Sequence, residues 1–341
     1  MKILIISDAW HPQVNGVVRT YEYLGEELIK MGHTVKVIGP SDFPYKIPMP
    51  GYAEIKLALK PYRRLSAMIQ DFHPDHLHIA TEGPLGIAAR RYALRQRIPF
   101  STSYHTHFPE YLAQRIKKIM PPLAPVMRRL SIWRLRRFHA PAQSIMLATE
   151  SLARELTDWN FKTPQKPLTR GVDLDLFKPA PSSLFQSLPR PIALYVGRVA
   201  IEKNIEAFLD MPWQGSKVVV GHGPALDELK AHYPDVVFAG KQIGPALAAH
   251  YQSADVFVFP SKTDTFGIVL IEALACGLPV AAYPVTGPRD IITVPYLGAL
   301  DENLAAAAEK ALACGSPDER HAHIRENYSW ERAARQFLEA S

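Results

Sequence analysis

Short apolar runs alternate with amphipathic stretches along the whole chain. Residues 3–6, 34–38, 76–80, 100–104 and 145–148 are short, mainly apolar runs, and this pattern predicts strands. Between them, 21–31 and 85–97 place apolar residues three and four apart, as on one face of a helix. The pattern then restarts. Residues 193–196, 217–220, 236–239, 256–259 and 280–283 read as strands, again separated by helical segments. Strands alternating with helices predict parallel sheets built from right-handed crossovers. Two doubly wound α/β units in series are the simplest account, in keeping with 341 residues. The boundary falls at about 170–191, where Pro179, Pro181, Pro189 and Pro191 with Ser182 and Ser183 predict an irregular, exposed connection. A long surface loop is expected at 42–51 and a terminal helix at 329–340. The domains are therefore placed at 1–170 and 171–328, with 329–341 as the final helix.

Composition narrows the class. A 47% apolar content excludes disorder as the dominant state. Cys276 and Cys314 can build neither a disulfide framework nor a C-x-x-C knuckle, and they fit a reducing compartment. The apolar core of MKILIISDAW is too short for a signal peptide. The longest run lacking Asp, Glu, Lys and Arg, 273–288, is 16 residues with three prolines, short of a membrane span. A soluble or peripheral protein is expected.

Charge is distributed unevenly. The net charge is +6, with residues 1–170 carrying +12 and 171–341 carrying −6. Residues 111–149 contain no acid but hold Arg115, Lys117, Lys118, Arg128, Arg129, Arg134, Arg136 and Arg137, interleaved with Met127, Leu130 and Trp133. Such a cationic amphipathic stretch suits an anionic membrane surface carrying a lipid acceptor. A basic helix binding an anionic acceptor, or nothing, is the plainer alternative. No nucleic-acid motif accompanies the charge, so nucleic acid is not expected as a partner, and no feature specifies an oligomeric state.

Candidate chemistry concentrates at strand ends in the second half. Gly197 permits a tight turn, and Arg198 and Lys203 place two cations beside a helix start, a favourable site for a diphosphate, although for this piece alone a strand–turn–helix with solvated charges is the plainer reading. Gly221 and Gly223 permit close backbone approach to a ligand, or simply a tight loop. Asp264 precedes a helix start near Phe266, Gly267 and Ile268. Glu272 lies within that helix between Ile271 and Ala273, a poor fit to exposure. Such a pair of acids can accept hydrogen bonds from two hydroxylated parts of one ligand. Asp173-Leu174-Asp175 has a metal-binding spacing, but it follows Gly171-Val172 in the connection. His73, His76, His78 and His105-Thr106-His107 lack a completing ligand, so no metal is expected.

The segment from Asp264 to Glu272 resembles the Glu-x7-Glu signature of retaining nucleotide-sugar glycosyltransferases of family 4, with Asp in the first position. Asp8–Gly16 is similar to that family's N-terminal glycine loop, Tyr104-His105-Thr106 to its acceptor-side His-Thr, and Arg170-Gly171-Val172-Asp173 with Phe177 to its linker. Gly197-Arg198 with Glu202-Lys203-Asn204 is similar to its phosphate clamp. The resemblance covers nearly the whole chain and is closest to bacterial glycolipid and GDP-mannose-dependent α-mannosyl transferases. It implies a GT-B fold, two Rossmann-like domains facing across a cleft, with the terminal helix packing back on the first. It also implies transfer of a hexose from a UDP- or GDP-sugar, with no cofactor, to a lipid acceptor such as diacylglycerol or a glycolipid. A GDP-mannose enzyme with a soluble or polyprenyl-linked acceptor, and a nucleotide-binding module without turnover, are the alternatives.

By the same resemblance, Arg198 and Lys203 neutralise the donor diphosphate and Glu272 holds the ribose. Asp264 and the backbone of Thr265, Phe266 and Gly267 hold the sugar hydroxyls, with Ile268 beginning the helix beside them. His105 faces the transferred sugar, and Gly16 lets the first loop approach the diphosphate. Gly197 and Gly221 complete the donor loops. A place on the inner face of the cytoplasmic membrane is expected.

Overall fold

The computed structural model describes all residues except Val14, Pro50, Gly51, 106–108, 110, 111, 113–115, 117–119 and Thr265. The chain forms two compact units, one of Met1–Arg170 with Trp330–Ser341 and one of Gly171–Ser329.

In the first unit the strands are β1 (Lys2–Ile6), β2 (Thr34–Ile38), β3 (Lys46–Met49), β4 (Tyr52–Ala58), β5 (His76–Ile79), β6 (Phe100–Tyr104), β7 (Ser144–Leu147) and β8 (Gln165–Pro167). The helices are α1 (Gly16–Lys30), α2 (Tyr62–Phe72), α3 (Pro84–Gln96), α4 (Ala124–His139) and α5 (Glu150–Asp158). The main sheet is parallel, in the order β2-β1-β5-β6-β7-β8. Ile3–Ile6 are fully buried, because helices cover both faces of a parallel sheet and leave no polar side to its strands. Helix α1 buries Val18, Tyr21, Leu24 and Leu28, the three-and-four spacing of a single apolar stripe. Residues 46–49 do not form the loop expected across 42–51. They pair antiparallel with β4 as a separate two-stranded ribbon, in which alternate N–H groups are unpaired and a proline such as Pro48 is tolerated.

The second unit contains β9 (Ile192–Val196), β10 (Ser216–Val220), β11 (Val237–Gly240), β12 (Val256–Phe259), β13 (Val280–Ala282) and β14 (Gly298–Leu300). Its helices are α6 (Ile205–Asp210), α7 (Leu226–His232), α8 (Gly244–Ser253), α9 (Ile268–Ala275), α10 (Pro288–Ile291), α11 (Leu304–Leu312) and α12 (Pro317–Asn327). Its sheet is also parallel, in the order β11-β10-β9-β12-β13-β14, the dinucleotide-binding order with its reversal between β9 and β12. The connection 171–191 is irregular, as its prolines dictate, but it is not simply exposed. Phe177 and Phe185 are buried, edge-on to Tyr251 and His250 of α8 at 6.0 and 5.5 Å.

The final helix, α13 (Trp330–Glu339), belongs to the first unit. Phe337 is fully buried with its ring edge-on to His76 and His78, and Trp330 stacks on Tyr23 of α1. Gln336 Oε1 accepts hydrogen bonds from the Thr169 N–H and hydroxyl at 2.8 and 2.9 Å.

Candidate functional site

The second unit gathers its candidate residues at the carboxyl ends of β9 and β12, the two strands that flank the reversal in sheet order. At such a point neighbouring connections leave in opposite directions and open a crevice. Gly197 and Gly221 continue the strand ladders, donating to the carbonyls of Val220 and Gly240. A Cβ on Gly221 would lie 1.8 Å from the Gly197 carbonyl oxygen, and its φ of +153° is in the region that favours glycine. Close approach of two strand ends is thus what requires this glycine.

Beyond Gly197, Arg198 is part-exposed with Nη1 3.7 Å from Glu202 Oε1. Lys203 closes a 3-10 turn, Ile201–Lys203, and its Nζ lies 2.5 Å from Asp264 Oδ1. Asn204 adopts a left-handed conformation, and its side-chain amide donates to the Pro260 carbonyl at 3.0 Å, tying the β9 loop to the end of β12. Two cations and two acids therefore share one strand-end corner. Each cation is held beside an acid that offsets its charge.

Helix α9 begins at Ile268, after Gly267 in a left-handed conformation at φ +88°. Phe266 is buried and edge-on to Tyr328; Thr265 lies outside the described residues. Glu272 is buried, 4% exposed, in agreement with its apolar flanks, and its Oε2 accepts a hydrogen bond of 2.9 Å from the Tyr251 hydroxyl. Burial, followed by the Glu272 charge, pushes the neighbouring Cys276 thiol far up and makes it inert as a nucleophile.

In the first unit, Gly16 opens α1 behind Asn15, whose Oδ1 accepts from the Val17 and Val18 N–H groups at 3.0 and 3.1 Å. Asp8, at the end of β1, accepts from the Leu85 and Gly86 N–H groups and from the Thr81 hydroxyl, so it caps α3 from outside that helix. Burial outweighs these hydrogen bonds and lifts the Asp8 carboxyl from 3.8 to about 6. His105 follows β6. Its Nε2 is 2.8 Å from the Tyr21 hydroxyl, and its Nδ1 receives a 2.9 Å hydrogen bond from Arg170 Nη2. Burial, then the Arg170 charge, holds His105 well below the ordinary imidazole range. Thr106 and His107 lie outside the described residues. His76 and His78 both bond Ser101 Oγ, at 2.8 and 2.7 Å, and Asp173 Oδ1 accepts from the Asp175 and Leu176 N–H groups in a turn. Among the described residues no cluster of three His, Cys, Asp or Glu is placed to hold a metal ion.

The basic segment splits by helix face. On α4, Val126, Leu130 and Trp133 are 55%, 51% and 54% exposed, with Arg129, Arg134 and Arg137 exposed around them. The Arg137 guanidinium lies over the Trp133 ring at 5.6 Å. Arg128 and Arg136 are half-buried, and Arg128 lies over the Trp159 ring; Met127 is also half-buried. Arg115, Lys117 and Lys118 lie outside the described residues. No helix among the described residues is long and apolar enough to cross a membrane.

Residues 14–176 match the family model described as Glycosyltransferase Family 4, and 190–314 match that of Glycosyl transferases group 1. Over 326 residues the chain is 30% identical to a GDP-mannose-dependent alpha-mannosyltransferase of Mycobacterium tuberculosis, covering 88% of this chain and 83% of that protein. The chain is a family 4 glycosyltransferase. As such it is a retaining hexosyltransferase using a nucleotide-sugar donor. An alpha-monoglucosyldiacylglycerol synthase of Streptococcus pneumoniae is 26% identical, over 93% of this transferase and 79% of that protein. A sulfoquinovosyl transferase of Arabidopsis thaliana is 30% identical over 81% of the chain, which spans about half, 54%, of the plant protein. Among solved structures, a sucrose-phosphate synthase from Thermosynechococcus elongatus superposes with a TM-score of 0.74 at 23% identity, each chain covered fully. Anabaena HepE with UDP and glucose gives 0.70 at 17%, covering 99% of this chain and 98% of that one. These likenesses show the GT-B fold.

From the sequence alone, Tyr251 and Tyr21 were not recognisable as partners of Glu272 and His105, and Arg170 stood only as part of the connection. No spacing signals them, because each meets its partner only through the fold.

Proposed function

We propose that this transferase carries a hexose to a membrane lipid acceptor of the diacylglycerol or glycolipid type, working from the inner face of the cytoplasmic membrane. The observation that carries the acceptor reading is the exposed Val126, Leu130 and Trp133 stripe ringed by Arg129, Arg134 and Arg137. Apolar insertion joined to positive charge is the combination that holds a protein at an anionic bilayer. The glucosyldiacylglycerol synthase among its relatives supports the same reading.

In the chemistry proposed, Arg198 and Lys203 exchange their acidic partners for the donor diphosphate and stabilise the charge that develops on the departing nucleotide. Asp264, released from Lys203, and the backbone of Thr265, Phe266 and Gly267 accept and donate hydrogen bonds at the sugar hydroxyls. Glu272, held by Tyr251, accepts from the ribose. Gly16 admits the diphosphate to the first loop, and His105 faces the sugar. With two cations supplying the positive charge, no metal is required.

The mycobacterial relative, at higher identity, favours a second reading with GDP-mannose as donor and a soluble or polyprenyl-linked oligosaccharide as acceptor. Both are tested by incubating the protein with UDP- and GDP-sugars, with and without EDTA. Diacylglycerol vesicles are offered in one arm and mannose oligosaccharides in the other. Product in the lipid extract, undiminished by EDTA, is expected. Product confined to the oligosaccharide arm would reject the lipid acceptor, and loss of turnover in EDTA would reject the metal-free chemistry.

A further inference from the structure

We propose that Arg170 is a positioning residue that fixes His105 as the neutral tautomer protonated on Nε2, so that His105 serves the transfer through hydrogen bonding and exchanges no proton. The proposal rests on the reading of His105 as a site residue.

A guanidinium has five N–H groups and no acceptor. With Arg170 Nη2 2.9 Å from His105 Nδ1, that ring nitrogen must be unprotonated. Arg170 cannot turn away to relieve the constraint. It is 5% exposed, and Nη1 also donates to the Leu168 and Thr169 carbonyls at 2.5 and 3.1 Å. The imidazole proton therefore sits on Nε2 and is donated to the Tyr21 oxygen at 2.8 Å.

The hydrogen-bond network continues inward from Tyr21. Having accepted from His105, the Tyr21 hydroxyl donates to His78 Nε2 at 2.8 Å or to Ser103 Oγ at 3.0 Å. Ser103 Oγ lies 3.0 Å from that same His78 nitrogen, and where Tyr21 donates to His78 directly, His78 Nε2 is the acceptor. In that branch His78 donates from Nδ1 to Ser101 Oγ at 2.7 Å, and Ser101 Oγ lies 2.8 Å from His76 Nε2. The donor-only guanidinium thus sets the direction of the His105–Tyr21 hydrogen bond.

The charged and titratable groups facing His105 come from several elements: Arg170 beyond β8, Tyr21 from α1, His78 from β5 and His139 from α4. The Glu82 carboxylate is on the far side of His139, 3.3 Å from its Nε2. Burial brings the Arg170 guanidinium down only to about 10. It stays charged at neutral pH and opposes a second proton on His105.

The test uses the full chain labelled with 15N-histidine, and His105→Gln assigns the signal. Tautomer-sensitive 1H–15N spectra should show His105 unprotonated on Nδ1 and protonated on Nε2 from pH 5.5 to 8.5. The pH profile of kcat should lack an acid limb from this group. In Arg170→Met the Nδ1 site opens to protonation, and an acid limb should appear with kcat falling about tenfold per pH unit below it. Arg170→Lys, which keeps the charge, should restore the flat profile. Should Arg170→Met not fold, Tyr21→Phe decides: His105 must keep its unprotonated Nδ1 while losing the Nε2 hydrogen bond. An Nδ1–H tautomer or an imidazolium in the wild type, or a flat profile in folded Arg170→Met, overturns the proposal. Failure of the site reading is distinguishable, since His105→Gln would then turn over normally while the wild-type spectrum still reports the tautomer.

Discussion

Reversing Arg129, Arg134 and Arg137 to Glu should detach the transferase from anionic vesicles without touching its nucleotide affinity. These three arginines are exposed and border the Val126, Leu130 and Trp133 stripe, whereas Arg128 and Arg136 are half-buried. Each basic group at an anionic surface contributes about 1 kcal/mol. Loss of three removes about 3 kcal/mol, roughly a 150-fold drop in partitioning, before the repulsion of three new carboxylates is counted. The residual apolar contact should not hold the protein alone, because shallow interfacial insertion of three side chains is marginal without the charge. Co-sedimentation with vesicles rich in anionic lipid, titrated in lipid at low and at physiological salt, reads the drop directly. Wild-type binding should weaken as salt shortens the screening length to about 8 Å. Arg128→Glu is the informative control. It breaks the contact over Trp159 and should lower stability rather than act on partitioning alone. Equal vesicle binding by the triple variant and the wild type would refute the orientation argued for α4, and absence of wild-type binding at low salt would refute the membrane reading.

Lys203→Ala should lower kcat by roughly 100-fold with the fold intact, because a charge acting at the leaving group is lost; near-normal turnover in a folded variant would sink the diphosphate role. Tyr251→Phe should weaken nucleotide binding by roughly tenfold or more, since it removes a buried hydrogen bond to a carboxylate worth about 1.5–3 kcal/mol. Calorimetry showing unchanged affinity would count against Glu272 at the ribose. Asp8 makes a pH-dependent contribution: with its native value raised from 3.8 to about 6, the folded state binds the proton more tightly, and stability from this group falls by about 3 kcal/mol as pH rises through that window. Asp8→Asn should therefore cost about that much less at pH 7.5 than at pH 4 in urea midpoints. The buried histidines, lowered by burial and opposite in sign, cancel in the comparison, and a penalty that grows with pH would reject the reasoning.

The strands that could be read directly, such as Ile192–Val196 and Val256–Phe259, lie inside parallel sheets and are apolar on both faces. Three-residue β8 and β14 could not be read, since such short edge strands are defined by their pairing. The ribbon of β3 and β4 hid behind Pro48 and Pro50. Glu272 was legible as buried because Ile271 and Ala273 left it no solvated face. The partition of the arginines on α4 was available from helical spacing, about 100° per residue, which puts 126, 130, 133 and 137 together and 128 opposite. The Arg170 and Tyr21 contacts were not available. They join positions 65 and 84 residues from His105, and no local pattern encodes a distance of that kind.

Because α13 completes the first unit and the whole of Gly171–Ser329 intervenes, the second unit is an insertion within the first. During vectorial synthesis the inserted unit has all of its chain before the outer one does. The outer unit waits for Ala333, Ala334 and Phe337, all fully buried, to close its core. Until they arrive, His76 and His78 lack the aromatic wall that Phe337 provides. The unit bearing His105 and the basic helix thus matures last, so a polypeptide interrupted before residue 330 would carry a whole second unit and an unfinished first one.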